Sequence, residues 1–232
     1  MIRPESFDKR IPSYRIHTAL GATYEAIGDM AAVSHYAEPD AEEKAVHELA
    51  FADLNALPRC GFKSEGAPEW LARQGIVIPD AANKAARQES GGLCLRLGAT
   101  DMLVAGSPLG DDDGPSALLS RWSTETVALR GWDAHREEGF SWFVLTGEHA
   151  PELLSRRCSV NLHPEAFANL YVSQTTAFGM GGVIARADFS RTLAYHMFFD
   201  IASSDHLIEV VQEDMEEFGG RLVGLSALRA LG

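Results

Sequence analysis

Hydrophobic positions along this chain change period several times, and each change marks an expected element. Residues 13–33 place apolar side chains at helical spacing but are interrupted by Gly21 and Gly28, which predicts one broken amphipathic helix. A second helix is better marked. Pro39 suits a first turn, Asp40, Glu42 and Glu43 favour its positive end, and Val46, Leu49, Ala50 and Leu54 fall on one face. Residues 57–63 and 141–146 alternate as strands, and each runs into an Ala-Pro-Glu segment that starts a short helix. Two glycine pairs, Gly91-Gly92 and Gly181-Gly182, each precede two short apolar runs, 93–97 with 102–105 and 183–187 with 193–199, which read as β-hairpins. The last strong pattern is an amphipathic helix with Leu207, Ile208, Val211 and Met215 inward, Ser203 and Ser204 as caps and Gly219-Gly220 as its end. Its first-half counterpart, around 115–122, is shorter, and closing strands are expected at 126–131 and 221–223.

The order of these elements repeats. Residues 64–73 and 147–156 share six of ten residues at an offset of 83 (147 − 64), among them Pro68/Pro151 and Arg73/Arg156. The glycine pairs echo each other at an offset of 90 (181 − 91), so Arg96 matches Arg186. Strand, helix, hairpin, helix, strand is a split β-α-β arrangement, and two copies predict an α+β body of two pseudo-repeated, ferredoxin-like halves. Residues 1–35, which have no counterpart, are an N-terminal extension that reaches toward a neighbouring subunit; 36–131 and 132–232 are the halves.

Composition narrows the classes. At 232 residues the chain buries a core without metals or disulfides, and Cys60, Cys94 and Cys158 have no metal-site or Cys-x-x-Cys spacing, so they read as buried free thiols. A net charge of −13 opposes nucleic acid and anionic membrane, and the absence of a long apolar run or leader-like start makes the chain cytoplasmic. The acidic run at 110–114 reads as a solvated loop. No hydrolase, phosphate-loop or zinc-protease signature is present.

The run 42–57, the two Ala-Pro-Glu turns, Arg96-Leu-Gly-Ala-Thr-Asp-Met-Leu-Val104 and the closing Gly224-Leu-Ser-Ala-Leu-Arg229 occur in an order that resembles the aminomethyltransferase (glycine-cleavage T-protein) folate-binding family. The chain is most similar to its short members, the gamma subunits of heterotetrameric sarcosine oxidase and of dimethylamine monooxygenase-type enzymes. That resemblance implies oxidative N-demethylation, with formaldehyde released or trapped on tetrahydrofolate, carried out with larger flavin- or iron-bearing partner subunits. This chain would hold no metal or flavin itself. In the family a catalytic Asp follows the first glycine pair; here only Leu93, Cys94 and Leu95 separate Gly92 from Arg96, and no Asp remains. The family's folate-holding Tyr and Glu fall on Phe189 and Thr192, a loss of about 1.5–3 kcal/mol for the carboxylate alone.

Polar candidates for a tetrahydrofolate-binding cleft are Asn83, Ser107, Arg186, Tyr195, His196 and Arg229. Each has a plainer reading. Asn83 turns the chain after a helix, Arg186 makes a salt bridge repeated from Arg96, Tyr195 and His196 point to opposite faces of one strand, and Arg229 is solvated. Trp122, Trp132 and Trp142 gather at the joint as core or as a docking surface. Two roles stay open: a folate-binding accessory subunit, or a purely structural one. A free-standing aminomethyltransferase ranks below both.

Overall fold

The computed structural model describes residues 2–36, 38–110, 112–129 and 131–232, without the side chains of 126–129 and 132. In place of one broken helix, the N-terminal segment forms α1 (Tyr14–Ala19) and then a hairpin, β1 (Thr23–Ile27) and β2 (Met30–His35). Gly21 and Gly28 both adopt positive φ (+80° and +53°), so each glycine makes a turn where the helical reading needed continuity. Helix α2 (Pro39–Glu48) begins at its proline as expected but stops before Leu49. Ala50–Asp53, assigned from the sequence to that helix, is instead strand β3. All four of its residues are buried, and a strand buried on both faces carries no alternation to distinguish it from a helix.

The chain then runs β4 (Arg59–Lys63), α3 (Ala67–Arg73), β5 (Lys84–Arg87), the hairpin β6 (Leu93–Arg96) and β7 (Asp101–Ala105), α4 (Gly114–Leu129) and β8 (Trp132–Asp133). Helix α4 is sixteen residues long and takes up 126–129, where a strand was expected; the rest of that expected strand includes Arg130, outside the described residues. After α5 (Arg136–Gly139) come β9 (Phe140–Thr146), α6 (Ala150–Arg157), β10 (Val172–Ala177), the hairpin β11 (Met180–Arg186) and β12 (Ala194–Asp200), α7 (Ser204–Met215), β13 (Arg221–Val223) and α8 (Leu225–Arg229). Both Ala-Pro-Glu helices carry proline in their first turn.

Strand order is β5-β6-β7-β4-β8 in one sheet and β10-β11-β12-β9-β3-β13 in the other. The sheets share one order of elements except at β3, which comes from the first half of the chain yet pairs with β9 and, in parallel, with β13. Alternation along the strands sorts the core into three clusters. Phe62, Trp70 and Trp122 lead an aromatic cluster between the first sheet and α3 and α4. Phe143, Leu153, Tyr195 and Val211 belong to the equivalent cluster under α6 and α7. The opposite faces of both sheets meet in a common core that includes Leu95, Leu103, Trp142 and Phe198, and the 1–35 segment adds Ile11, Tyr24 and Met30 through Val33 to it. Trp122 and Trp142 do not group: Trp122 lies in the outer aromatic cluster and Trp142 in the common core, both buried, while the side chain of Trp132 lies outside the described residues.

The edge strands of the two sheets meet through a two-fold-like exchange. Val172 N–H donates to the Asn83 carbonyl (2.9 Å) while Ala85 N–H donates to the Leu170 carbonyl (2.7 Å). Asn83 and Leu170 both have positive φ, and their amides donate to Arg96 and Arg186 carbonyls respectively. No described helix is long and apolar enough to cross a membrane.

Candidate functional site

The six residues singled out from the sequence do not converge. No side-chain hydrogen bond or ion pair joins any two of them, and none lines either of the two main clefts. Asn83 sits at the joint, its Oδ1 accepting from Gln174 Nε2 at 2.8 Å. Arg186 donates to Asp188 (2.7 Å) and to the carbonyls of Phe167 (2.8 Å) and Pro164 (3.2 Å). Its match Arg96 holds the carbonyls of Pro79 and Ala99, with no ion pair among the described residues.

Tyr195 and His196 point to opposite faces of β12, as alternation requires. Tyr195 is wholly buried under the helices, where its hydroxyl donates to the Leu162 carbonyl at 2.8 Å, and burial pushes its pKa up to about 12. His196 faces the common core against Trp142, Phe198 and Phe189; Trp142 Nε1–H donates to its Nδ1 at 3.2 Å. Burial, helped by the nearby Arg87 cation, depresses its pKa to about 3, so the ring is neutral. Ser107 is buried, and its Oγ accepts from Leu109 N–H. Arg229 is not free in solvent: it pairs with Glu25 at 2.6 Å and so ties α8 to β1.

Residues 189–193, Ala230, Leu231, His47 and Glu148 line a cleft of about 540 Å³. Phe189 and Thr192, which the resemblance sets against a folate-holding Tyr and Glu, both line this cleft. Thr192 Oγ1 is engaged with His47 Nδ1 at 2.8 Å. The loop's own carboxylate, Asp188, is held by Arg186, and Glu148 stands exposed at the rim. These residues do not fit a carboxylate grip on a pterin edge.

What the sequence did not reveal is a buried polar chain. Tyr36 hydroxyl meets His17 Nδ1 at 2.8 Å, and His17 Nε2 meets Asp53 Oδ2 at 3.0 Å. Asp53 Oδ1 accepts from both the backbone and the side-chain amide of Asn55. The side chain of Asn55 accepts in turn from Trp142 N–H at 2.9 Å. Arg59, also buried, donates to the carbonyls of Asn55, Leu57, Glu137 and Phe140, and burial lowers its pKa to about 10. Glu42 is equally buried; its two oxygens accept from Tyr36 N–H and Gly224 N–H. The alternation Asp53-Leu54-Asn55 was the one available signal: two short polar groups of the kind that must find partners when buried. The chain runs through packed side chains that tie the N-terminal segment to β3 and β9. Cys60 and Cys94 are buried thiols whose pKa values burial drives up, to about 12 for Cys94, which leaves them poor nucleophiles. Among the described residues no three His, Cys, Asp or Glu side chains gather as a metal site.

No protein-family model matches the chain, and no curated protein sequence does. Solved structures do match. The aminomethyltransferase T of the glycine cleavage system from Bartonella henselae superimposes with a TM-score of 0.72 at 14% identity, over 95% of this chain and 62% of that one. A chain of the heterotetrameric sarcosine oxidase from Corynebacterium sp. U-96, in complex with pyrrole 2-carboxylate, superimposes with a TM-score of 0.66 at 19% identity, over 91% of this chain and 97% of that one. The fold is T-protein-like. This chain spans about three fifths of the aminomethyltransferase but nearly the whole of the sarcosine oxidase chain.

Proposed function

We propose that this chain is an accessory subunit, without a redox centre of its own, of a multi-subunit oxidative N-demethylase that converts a methylated amine to the demethylated amine plus formaldehyde or methylene-tetrahydrofolate. Its two sheets are read as copies of one split β-α-β unit, fused and interlocked by β3. The observation that carries the accessory role is the internal use of the candidate ligand groups. Arg186, Tyr195, Ser107 and Arg229 spend their polar atoms on other parts of the chain, and Thr192 replaces the carboxylate a pterin would need. The likeness in length to one chain of a heterotetrameric amine oxidase supports the same reading.

The test is to purify the tagged full chain from its own cells, identify what accompanies it, and assay formaldehyde release. Larger flavin- or iron-bearing subunits and N-demethylase activity are expected, with no heat when the isolated chain is titrated with tetrahydrofolate. Elution alone and without activity overturns the proposal. One observation favours a second reading: Arg191 and Glu148 flank the 540 Å³ cleft, a charge pair able to hold a ligand at its rim. Binding heat with tetrahydrofolate that disappears in Arg191→Ala supports folate binding there instead.

A further inference from the structure

A second and larger cleft, about 910 Å³, lies between Lys9, the β1-β2 turn, the start of β4, the start of α4 and α5. It falls within the ~300–1,000 Å³ of ligand-receiving clefts. Its walls include Ile27, Met30, Leu57 and Pro58, and its rim carries Leu119, an apolar side chain left 38% exposed on α4. Six carboxylates line it against three cations, and the cations are already engaged. Arg59 is spent on backbone carbonyls, Lys9 is shared between Asp29 and Glu137 (3.1 and 3.5 Å), and Arg136 pairs with Asp101 at 2.7 Å beyond the cleft. Asp112 has a structural task, accepting from Ser90, Ser107 and Gly114. Asp113 and Glu138 are exposed and make no ion pair or side-chain hydrogen bond among the described residues.

We infer that this cleft is the docking site for a basic segment of a partner subunit, a Lys or Arg side chain flanked by apolar residues. The inference rests on the subunit reading above and adds where the partner sits. Unneutralised carboxylates over apolar walls select a cation carried on apolar chain, repel anionic ligands, and leave more room than a small alkylamine fills. Residues from five separate segments build the walls, so the docked segment also bridges the N-terminal hairpin to α4 and α5.

The test uses the complex purified through the tagged full chain. Carbodiimide coupling, which joins carboxylate directly to lysine, is expected to link Asp113 or Glu138 to a lysine of the co-purifying subunit. The reversal pair Asp113→Lys/Glu138→Lys, and separately Leu119→Glu on the rim, should lower co-purified partner and formaldehyde release at least tenfold. Glu209→Lys/Glu213→Lys on the far helix α7 should leave both unchanged. All these positions are exposed, so melting temperatures near wild type are expected. Partner recovery at the wild-type level in the reversal pair and in Leu119→Glu, or cross-links confined to other faces, overturns the inference while the subunit reading stands. A wild-type chain that brings down no amine-oxidising subunit overturns both.

Discussion

Arg96 ends β6 and Arg186 ends β11, and the difference between these two matching places shows how far the likeness of the sheets extends. Both hold the carbonyls of a neighbouring loop. Only Arg186 has a carboxylate, Asp188, locked to it with both groups 11% exposed, whereas Nε of Arg96 is buried without an acceptor. The same contrast runs through the cores. At equivalent positions of the Ala-Pro-Glu helices the first half has Trp70, tilted against Phe62 and edge-on to Trp122, and the second has the smaller Leu153 in a cluster with Phe51, Phe143 and Phe199. The order of elements matches while the side chains that finish each sheet differ. Position within the repeat therefore identifies architecture better than ligand contacts.

The largest expected effect breaks the first half's core. Trp70→Ala should cost about 4 kcal/mol and Leu153→Ala about 3, read from urea midpoints. Because β3 carries first-half chain into the second sheet, each variant should shift a single transition. Two separated transitions in Trp70→Ala would show that the halves unfold independently. Next comes the arginine pair. Arg186→Met strands a nearly buried Asp188 and two carbonyls and should cost about 3 kcal/mol, against about 1 for Arg96→Met, which strands no carboxylate. Equal losses would mean that the carboxylate adds nothing to the second copy.

Acid should separate the halves as well. The inner stretch of β7, Met102 through Ala105, has no ionisable side chain, while the matching region of β12 buries His196. With its folded pKa depressed to about 3, His196 favours the native state fully above its unfolded value near 6.5, and this contribution is lost as pH falls toward 3. At pH 5 the loss should be about 2 kcal/mol relative to pH 7.5. His196→Gln keeps an acceptor for Trp142 without a titrating group, so it should remove that share of the pH dependence. An unchanged pH profile in His196→Gln would assign the acid sensitivity elsewhere.

Much of this scaffold was legible because it rests on local chemistry. Proline in a first turn placed α3 and α6, and paired glycines placed both hairpins. The misreadings came where tertiary context decides. Ala50–Asp53 is apolar enough for a helix or for a doubly buried strand, and only the gap between β9 and β13 selects the strand. Residues 126–129 have strand-like composition, yet they extend α4. The site was less legible than the fold. The partners of Arg229 and Ser107 lie in unpatterned loops and a hairpin, and the links from Tyr36 through His17 to Asp53 join residues 19 and 36 apart, at no recurring spacing. The larger cleft was invisible because its walls come from five segments with no shared motif.

The smallest test concerns the joint itself, where Asn83 and Leu170 play the same backbone part with different side chains. Both are held at positive φ (60° and 68°), a conformation that Asn tolerates and most side chains resist by about 1 kcal/mol. Asn83 also accepts from Gln174 at an exposed site, while Leu170 packs against the common core. Asn83→Ala should therefore cost about 1 kcal/mol, and Asn83→Gly clearly less, because glycine restores the conformation and forgoes only the exposed hydrogen bond. If the joint depends on backbone geometry, as its symmetric exchange of bonds implies, the order in denaturant midpoint will be wild type, Gly, Ala. A glycine variant as weak as alanine would instead give the Gln174 hydrogen bond the larger share in joining the halves.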